Sequence, residues 1–149
     1  MPKALVVMGS RSDWDTVQKT CDILDEFGVG YERVVCSAHR NPEKLYQIAS
    51  AAESEGYEVV VAAAGMAAAL PGVIAGLTPL PVIGIPCKSA NLEGLDALLS
   101  IAQMPPGVPV AAVAIDGAKN AGILAVQILS VKYPELRQKM IEYKNSLKQ

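Results

Sequence analysis

The residues of this chain best suited to move a proton and hold an anion are neighbours in one short polar segment. His39 is the only histidine among the 149 residues, Arg40 follows it directly, and Pro42 stiffens the same segment. An imidazole exchanges protons near neutral pH, and a guanidinium binds phosphate through paired hydrogen bonds. We therefore predict that His39 is an acid–base catalyst and that Arg40 binds an anionic group. The alternative is that His39 is an ordinary loop residue.

A second polar segment, Gly9-Ser10-Arg11-Ser12-Asp13, follows the first apolar run of the chain. Its glycine, its serines and the free N–H groups at the start of the next helix would together form a receptor for an anion. Asp13 could accept hydrogen bonds from a sugar hydroxyl. The segment has neither the GxxxxGKS/T pattern nor the GxGxxG pattern. Because Ser12 or Asp13 could also simply cap the helix, phosphate binding and capping both remain open.

The cysteines and the single histidine argue against a metal site. Cys21, Cys36 and Cys87 are widely spaced and form no CxxC pair, and there is no second histidine to complete a ligand set. No GxSxG motif supports a serine hydrolase triad. Unpaired cysteines are typical of a reducing compartment, and the apolar N-terminal run is too short for a signal peptide. We therefore predict a cytoplasmic protein without a metal.

Composition predicts one globular domain over residues 1–149, because 51% of the residues are hydrophobic and 19% are charged. A net charge of -2 without a basic run argues against a nucleic-acid partner. The stretch between Glu58 and Lys88 is uncharged and long enough to cross a membrane. Prolines and glycines interrupt it repeatedly, so it is predicted to form buried strands and a helix instead of a membrane span.

Apolar strand-like runs alternate with helical patterns along the whole chain, which predicts βαβ units and a parallel sheet. The predicted strands cover residues 4–8, 31–36, 59–63, 82–85 and 110–115. The first predicted helix follows a cap at Ser12 or Asp13 and stops near Gly28 and Gly30. The other predicted helices cover residues 42–56, 66–77, 92–102 and 118–131, with a last helix from residue 134. Five strands in a chain of this length predict a three-layer, flavodoxin-like α/β fold with a five-stranded parallel sheet.

The predicted helix over residues 66–77 is apolar on every side. Its apolar residues are Met66, Ala67, Ala68, Ala69, Leu70, Val73, Ile74, Ala75 and Leu77. A helix on the outside of a small monomer has a polar face, so this one needs a cover. A second copy of the chain is the simplest cover, and we predict a homo-oligomer.

The predicted fold brings the polar segments together. In an open parallel sheet, ligands bind beyond the carboxyl ends of the strands, near a change in strand order. Strands one to four end at the loops of residues 9–13, 37–40, 64–67 and 86–89. We therefore predict that one edge of the sheet holds His39, the hydroxyl groups and several charges. Glu93 and Asp96 fall in a later helical stretch and are predicted to be solvated.

Five segments, in order along the chain, resemble the aminoimidazole ribonucleotide carboxylase/mutase family. They are MGSRSDW at residues 8–14, SAHRNP at 37–42, LPG at 70–72, IAQMPPGVPV at 101–110 and AKNA at 118–121. The resemblance implies a flavodoxin-like octamer that uses no metal and no organic cofactor. It also implies a ribonucleotide substrate and CO2, in purine biosynthesis.

The resemblance also assigns roles to residues. His39 would be the general acid and base, while Ser10, Asp13 and Arg40 would bind the ribose phosphate part of the substrate. Around them, the predicted substrate-binding set is completed by Ser12, Ser37, Ala38, Gly65, Met66, Ala67 and Leu70. The apolar wall of residues 65–70 would suit CO2, a nonpolar gas.

One position departs from the family pattern. The mutase branch usually reads GGAAHLPG, whereas residues 65–72 read GMAAALPG, so Ala69 replaces a histidine. The branch that uses free CO2 also lacks that histidine, but it usually has lysine where this chain has Arg40. The leading prediction is the mutase reaction, which moves a carboxyl group from the exocyclic nitrogen to C4 of the imidazole. Direct carboxylation with CO2 and a non-catalytic flavodoxin-like binding module are the alternatives.

Overall fold

Five parallel strands form the centre of the part of the chain that the computed structural model describes, residues 1–148, in the order β2-β1-β3-β4-β5. The strands are β1 (Lys3–Met8), β2 (Gly30–Val35), β3 (Val59–Gly65), β4 (Val82–Cys87) and β5 (Ala111–Ala112). The chain leaves β1 toward β2 and returns on the other side at β3, so the order reverses between β1 and β3. The predicted flavodoxin-like α/β fold is confirmed.

Helices cover both faces of the sheet. They are α1 (Trp14–Phe27), α2 (Pro42–Ala51), α3 (Leu70–Leu77), α4 (Leu95–Ala102), α5 (Ala118–Ser130) and α6 (Pro134–Ser146). Helices α1, α5 and α6 pack on one face, and α2, α3 and α4 pack on the other. Side chains alternate along a strand, so Val6 faces the first layer and Leu5 the second. None of the helices described over residues 1–148 is long and apolar enough to cross a membrane.

Local sequence signals set the helix ends that flank the site. Helix α1 ends at Gly28, whose φ of 74° lies in the left-handed region that favours glycine. Helix α2 begins after Asn41, whose side chain accepts a hydrogen bond of 3.2 Å from the Lys44 N–H, and Pro42 occupies the first turn. These boundaries confirm the predicted stop near Gly28 and the predicted start at Pro42.

Several element boundaries differ from the prediction, and α2 ends at Ala51, five residues before the predicted end at residue 56. The helix predicted from residue 66 begins at Leu70, because Met66 has a left-handed φ of 55° that no helix accommodates. The helix predicted from residue 92 begins at Leu95, since Glu93 and Gly94 are both left-handed. The last strand shrinks from six predicted residues to Ala111–Ala112, which as an edge strand pairs only with β4.

The prediction that Glu93 and Asp96 are both solvated is wrong for Asp96. Glu93 is exposed, but the Oδ1 atom of Asp96 is buried and has no hydrogen-bond partner among residues 1–148. The cause is the packing of α4, whose first turn contains Asp96, against β4 and β3.

We expect Gly122→Ala to destabilise the fold, because Gly122 lies where α5 meets α1. An added Cβ would stand 2.9 Å from the Ile23 Cβ and 3.0 Å from the Thr20 carbonyl oxygen, which no rotamer change relieves. Overpacking of this kind typically costs about 1–3 kcal/mol, more than the helix propensity that alanine gains. Urea unfolding would measure the loss.

Gly76→Ala is the matched control for that substitution, because Gly76 also lies in a helix and a Cβ added there would meet no neighbouring group within 4 Å. Its free energy of unfolding should rise by up to about 1 kcal/mol, because alanine favours the helix and meets no clash there. If both substitutions changed the free energy of unfolding by the same amount, the contact between α1 and α5 would tolerate an extra carbon.

Candidate functional site

The carboxyl ends of β1, β2, β3 and β4 border one cavity of about 450 Å³. It is lined by all eleven predicted site residues, namely Ser10, Ser12, Asp13, Ser37, Ala38, His39, Arg40, Gly65, Met66, Ala67 and Leu70. The sheet brings them together because parallel strands end at the same edge and the strand order reverses between β1 and β3.

The cavity wall also contains residues outside the predicted set. They are Gly9, Ala64, Ala68, Ala69, Cys87, Lys88 and Ser89. Each of them lies next to a predicted site residue or at the end of β4. Their positions in the loops that follow the strands were therefore the sequence signal that could have identified them. Cys87 reaches the cavity because β4 continues to this residue, two residues beyond the predicted end at residue 85.

The loop after β1 has its shape fixed by Ser10. The Ser10 hydroxyl accepts a hydrogen bond of 3.2 Å from the Ser12 N–H and lies 2.9 Å from the Ser12 hydroxyl. Ser10 therefore caps the short helical turn Arg11–Asp13, and the prediction that Ser12 or Asp13 provides the cap is wrong. The reason is that the helical turn starts before the point at which the amphipathic pattern of α1 begins. Gly9 ties the loop to β3 by donating a hydrogen bond of 3.1 Å to the Ala63 carbonyl.

Asp13 is partly buried at the floor of this loop. Burial is the main cause that raises the pKa of its carboxyl group, and the negative charge of Asp116 raises it further. Hydrogen bonds involving the Cys87 thiol and the Ser10 backbone lower the pKa, but the net shift is upward. Burial and the charges of Asp13 and Asp116 in turn raise the pKa of Cys87 to about 12. Cys87 is therefore a neutral thiol, which suits a hydrogen-bond donor and not a nucleophile.

The loop after β2 presents His39 and Arg40 at the tip of a tight turn. The Ser37 hydroxyl accepts a hydrogen bond of 3.2 Å from the Arg40 N–H, and the Ser37 carbonyl accepts one of 2.9 Å from the Asn41 N–H. Both side chains at the tip are exposed. Neither has an ion pair or a side-chain hydrogen bond among the residues the structure describes. Both are therefore available to a ligand.

The loop after β3 forms an apolar wall. Residues 66–69 are Met-Ala-Ala-Ala, and their irregular backbone is held by a 2.9 Å hydrogen bond from the Ala68 N–H to the Met66 carbonyl. Residues 66–69 of this wall carry no titratable side chain. Over residues 1–148, no group of histidine, cysteine and acidic side chains has an arrangement that could hold a metal ion.

Taken together, the cavity offers a proton carrier and a guanidinium on the loop after β2, hydroxyl groups and a carboxylate on the loop after β1, and an apolar wall on the loop after β3. Such a set can hold an anionic sugar phosphate and move protons beside a nonpolar space.

Known proteins share both the sequence and the fold. The AIR carboxylase family model matches residues 3–149. N5-carboxyaminoimidazole ribonucleotide mutase of Pyrococcus abyssi is 55% identical over 148 residues, covering 99% of this chain and 85% of the relative. The mutase of Bacillus subtilis is 51% identical over 150 residues, covering 99% and 93%. The crystal structure of Treponema denticola PurE superposes with a TM-score of 0.87 at 30% identity, covering 98% of this chain and 91% of that one.

Proposed function

Because this chain belongs to the AIR carboxylase family, we propose that it is an N5-carboxyaminoimidazole ribonucleotide mutase of purine biosynthesis. The reaction moves the carboxyl group from the exocyclic nitrogen to C4 of the imidazole. The relatives that are 51% and 55% identical over nearly the whole chain carry this name. The structural observation that carries the proposal is the single cavity that gathers His39, Arg40, Ser10 and Asp13 at the strand ends.

The anionic part of the substrate would lie between the loops after β1 and β2. Arg40 can grip phosphate oxygens with its planar guanidinium, and the hydroxyls of Ser10 and Ser12 can donate to the same group. Asp13 would accept hydrogen bonds from the ribose hydroxyls. Ser37 and Ala38 shape the turn that presents Arg40.

His39 would carry one proton through the reaction. Protonated His39 first donates to the carbamate nitrogen, so that the N–C bond breaks and its electron pair stays on nitrogen as CO2 leaves. The resulting aminoimidazole is an enamine, and its C4 attacks CO2 to form the new C–C bond. Neutral His39 then removes the C4 proton, which restores the aromatic ring and the protonated imidazole. Atoms and charge balance, because the reaction is an isomerisation.

Residues 65–70 would keep the released CO2 in place. This wall includes Gly65, Met66, Ala67 and Leu70, and it offers no polar side chain to hydrate or trap the gas. An apolar, closed space favours recapture by C4 over escape into water.

Paired assays on the purified protein without ATP test the function. One arm supplies N5-carboxyaminoimidazole ribonucleotide, and the other supplies aminoimidazole ribonucleotide with dissolved CO2. We expect efficient formation of the C4-carboxylated product in the first arm and a need for very high CO2 in the second. The reverse pattern would make the protein a direct carboxylase, and product in neither arm would support a non-catalytic binding module.

We further propose that the protein is a cytoplasmic homo-oligomer, with the octamer implied by the family resemblance as its expected form. Leu95 and Leu99 are 50% and 48% exposed one turn apart on α4, Leu92 before that helix is 57% exposed, and Val73 on α3 is 42% exposed. Exposed apolar side chains of this kind are typical of a surface that another subunit covers. The three cysteines are free thiols, which suits a reducing compartment.

Light scattering coupled to size exclusion tests the oligomer. We expect a mass of eight times the 15.7 kDa chain for the unmodified protein. Replacing both Leu95 and Leu99 with glutamate should reduce that mass, because charges on the covered face lose their hydration. Glutamate at Lys144 and Asn145, two exposed positions of α6 without a side-chain hydrogen bond among residues 1–148, is the control and should leave the mass unchanged. A monomeric unmodified protein would contradict the proposed assembly.

A further inference from the structure

The loop after β4 carries a cation that the roles proposed above do not use. Lys88 lines the same cavity as His39 and Arg40. Within residues 1–148 its ammonium group has no ion pair and no hydrogen bond, although its backbone is firmly held. Of the described residues on the cavity wall, Arg40 and Lys88 are the two permanently cationic ones.

Asp116, which is distant in the sequence, holds the backbone around Lys88 through two hydrogen bonds. The Asp116 Oδ1 accepts a hydrogen bond of 2.9 Å from the Lys88 N–H, and the Asp116 N–H donates one of 2.8 Å to the Pro86 carbonyl. Asp116 reaches both groups because its φ is 57°, a left-handed conformation that aspartate tolerates better than most residues. These two hydrogen bonds restrain the loop backbone, and a restrained backbone favours a binding role for its side chains.

The strand order sets Lys88 opposite Arg40. Arg40 follows β2 and Lys88 follows β4, with β1 and β3 between them. At the usual spacing of about 4.8 Å between strands, the two loops start roughly 14 Å apart. The cavity thus has a cation at each end, and the substrate of the proposed reaction has an anionic group at each end, the phosphate and the carboxylate.

Apart from protonated His39, whose proton goes to the carbamate nitrogen, the remaining walls offer the carboxylate no cationic partner. Arg40, Ser10 and Ser12 are assigned to the phosphate, Asp13 is itself an acid, and residues 66–69 are apolar. We propose that Lys88 binds the carboxylate of both the substrate and the product, an inference that rests on the function proposed above. Since CO2 is neutral, Lys88 holds the carboxylated states and not the intermediate between them. Because the carboxylate keeps much of its negative charge in the transition states for losing and regaining CO2, Lys88 binds the ground states and these transition states alike, which changes KM more than kcat.

The test compares ligands with and without the carboxylate. Lys88→Met keeps most of the side-chain length and removes the charge, and Lys88→Arg keeps the charge. We expect Lys88→Met to raise KM and the calorimetric Kd of the C4-carboxylated product about tenfold, with kcat within about twofold. The Kd of aminoimidazole ribonucleotide, which lacks the carboxylate, should not change. Lys88→Arg should restore most of the affinity.

Lys119→Met is the control, because Lys119 is exposed at the start of α5 and lies outside the cavity wall. Equal weakening of both ligands by Lys88→Met would place the ammonium on the phosphate and overturn the inference, as would unchanged binding of both. Turnover by the unmodified protein tests the proposed function separately. If turnover is absent, the two Kd values still decide whether Lys88 recognises a carboxylate, and failure of both ligands to bind overturns both proposals.

Discussion

His39→Asn should lower kcat by about a thousandfold and leave the fold intact. General acid–base catalysis by one side chain contributes about 10²–10⁴-fold, and in the proposed reaction His39 serves both proton transfers. Its side chain is exposed and has no ion pair or hydrogen bond among residues 1–148, so its removal costs little stability. Steady-state kinetics with the N5-carboxylated ribonucleotide, together with thermal unfolding, would measure both effects.

Arg40→Met provides the contrast, because Arg40 is the next residue on the same turn and is also exposed. It should raise KM by at least about tenfold while changing kcat much less, as expected when a phosphate contact is lost. Full turnover by His39→Asn would remove His39 from the mechanism. A similar loss of kcat in both variants would mean that the turn positions the substrate and that His39 has no distinct chemical role.

Asp13→Asn should lower the activity and keep or raise the stability of the fold. The amide cannot accept hydrogen bonds from ribose hydroxyls as strongly as a carboxylate, so kcat/KM should fall by about 10- to 100-fold. At the same time the variant removes a charge that burial disfavours, since desolvation raises the pKa of Asp13 above its ordinary value of 3.8. The free energy of unfolding near neutral pH should therefore equal or exceed that of the unmodified protein, which is common where a polar group is kept for function.

The sign of the pH dependence follows from that raised pKa. Below the unfolded-state pKa, Asp13 is protonated in both states and carries no penalty. As pH rises through the folded-state pKa, the native protein must ionise a desolvated carboxyl, and it loses stability relative to Asp13→Asn. Urea unfolding of both proteins at about pH 7 and about pH 3 should show a gap that disappears in acid.

Asp15→Asn is the control for this pair of measurements, because Asp15 is exposed in the first turn of α1 and lies outside the cavity wall. It should change neither kcat/KM nor the pH dependence of stability. A stability gap that widens in acid would show that Asp13 is stabilised as a carboxylate in the native state, contrary to the effect of burial.

The sequence by itself determined the sheet and the edge that holds the site. The strands β1, β3 and β4 are continuous apolar runs because both of their faces are covered, and that pattern is local and readable. Gly28 and the Asn41-Pro42 pair marked helix ends through their own backbone preferences. Since parallel strands must end at one edge, the location of Ser10, Asp13, His39 and Arg40 on a common site followed from alternation alone.

Only the tertiary structure decided how the loops are shaped. The backbone of Met66 is left-handed although methionine and the alanines after it favour a helix, because the end of β3 and the start of α3 are fixed independently and the chain must turn between them. The contact of Cys87 with Asp13 joins residues that are far apart in the sequence, and so do the hydrogen bonds of Asp116 with the backbone around Lys88. Periodicity and propensity describe near neighbours, so contacts that depend on strand order lie beyond them.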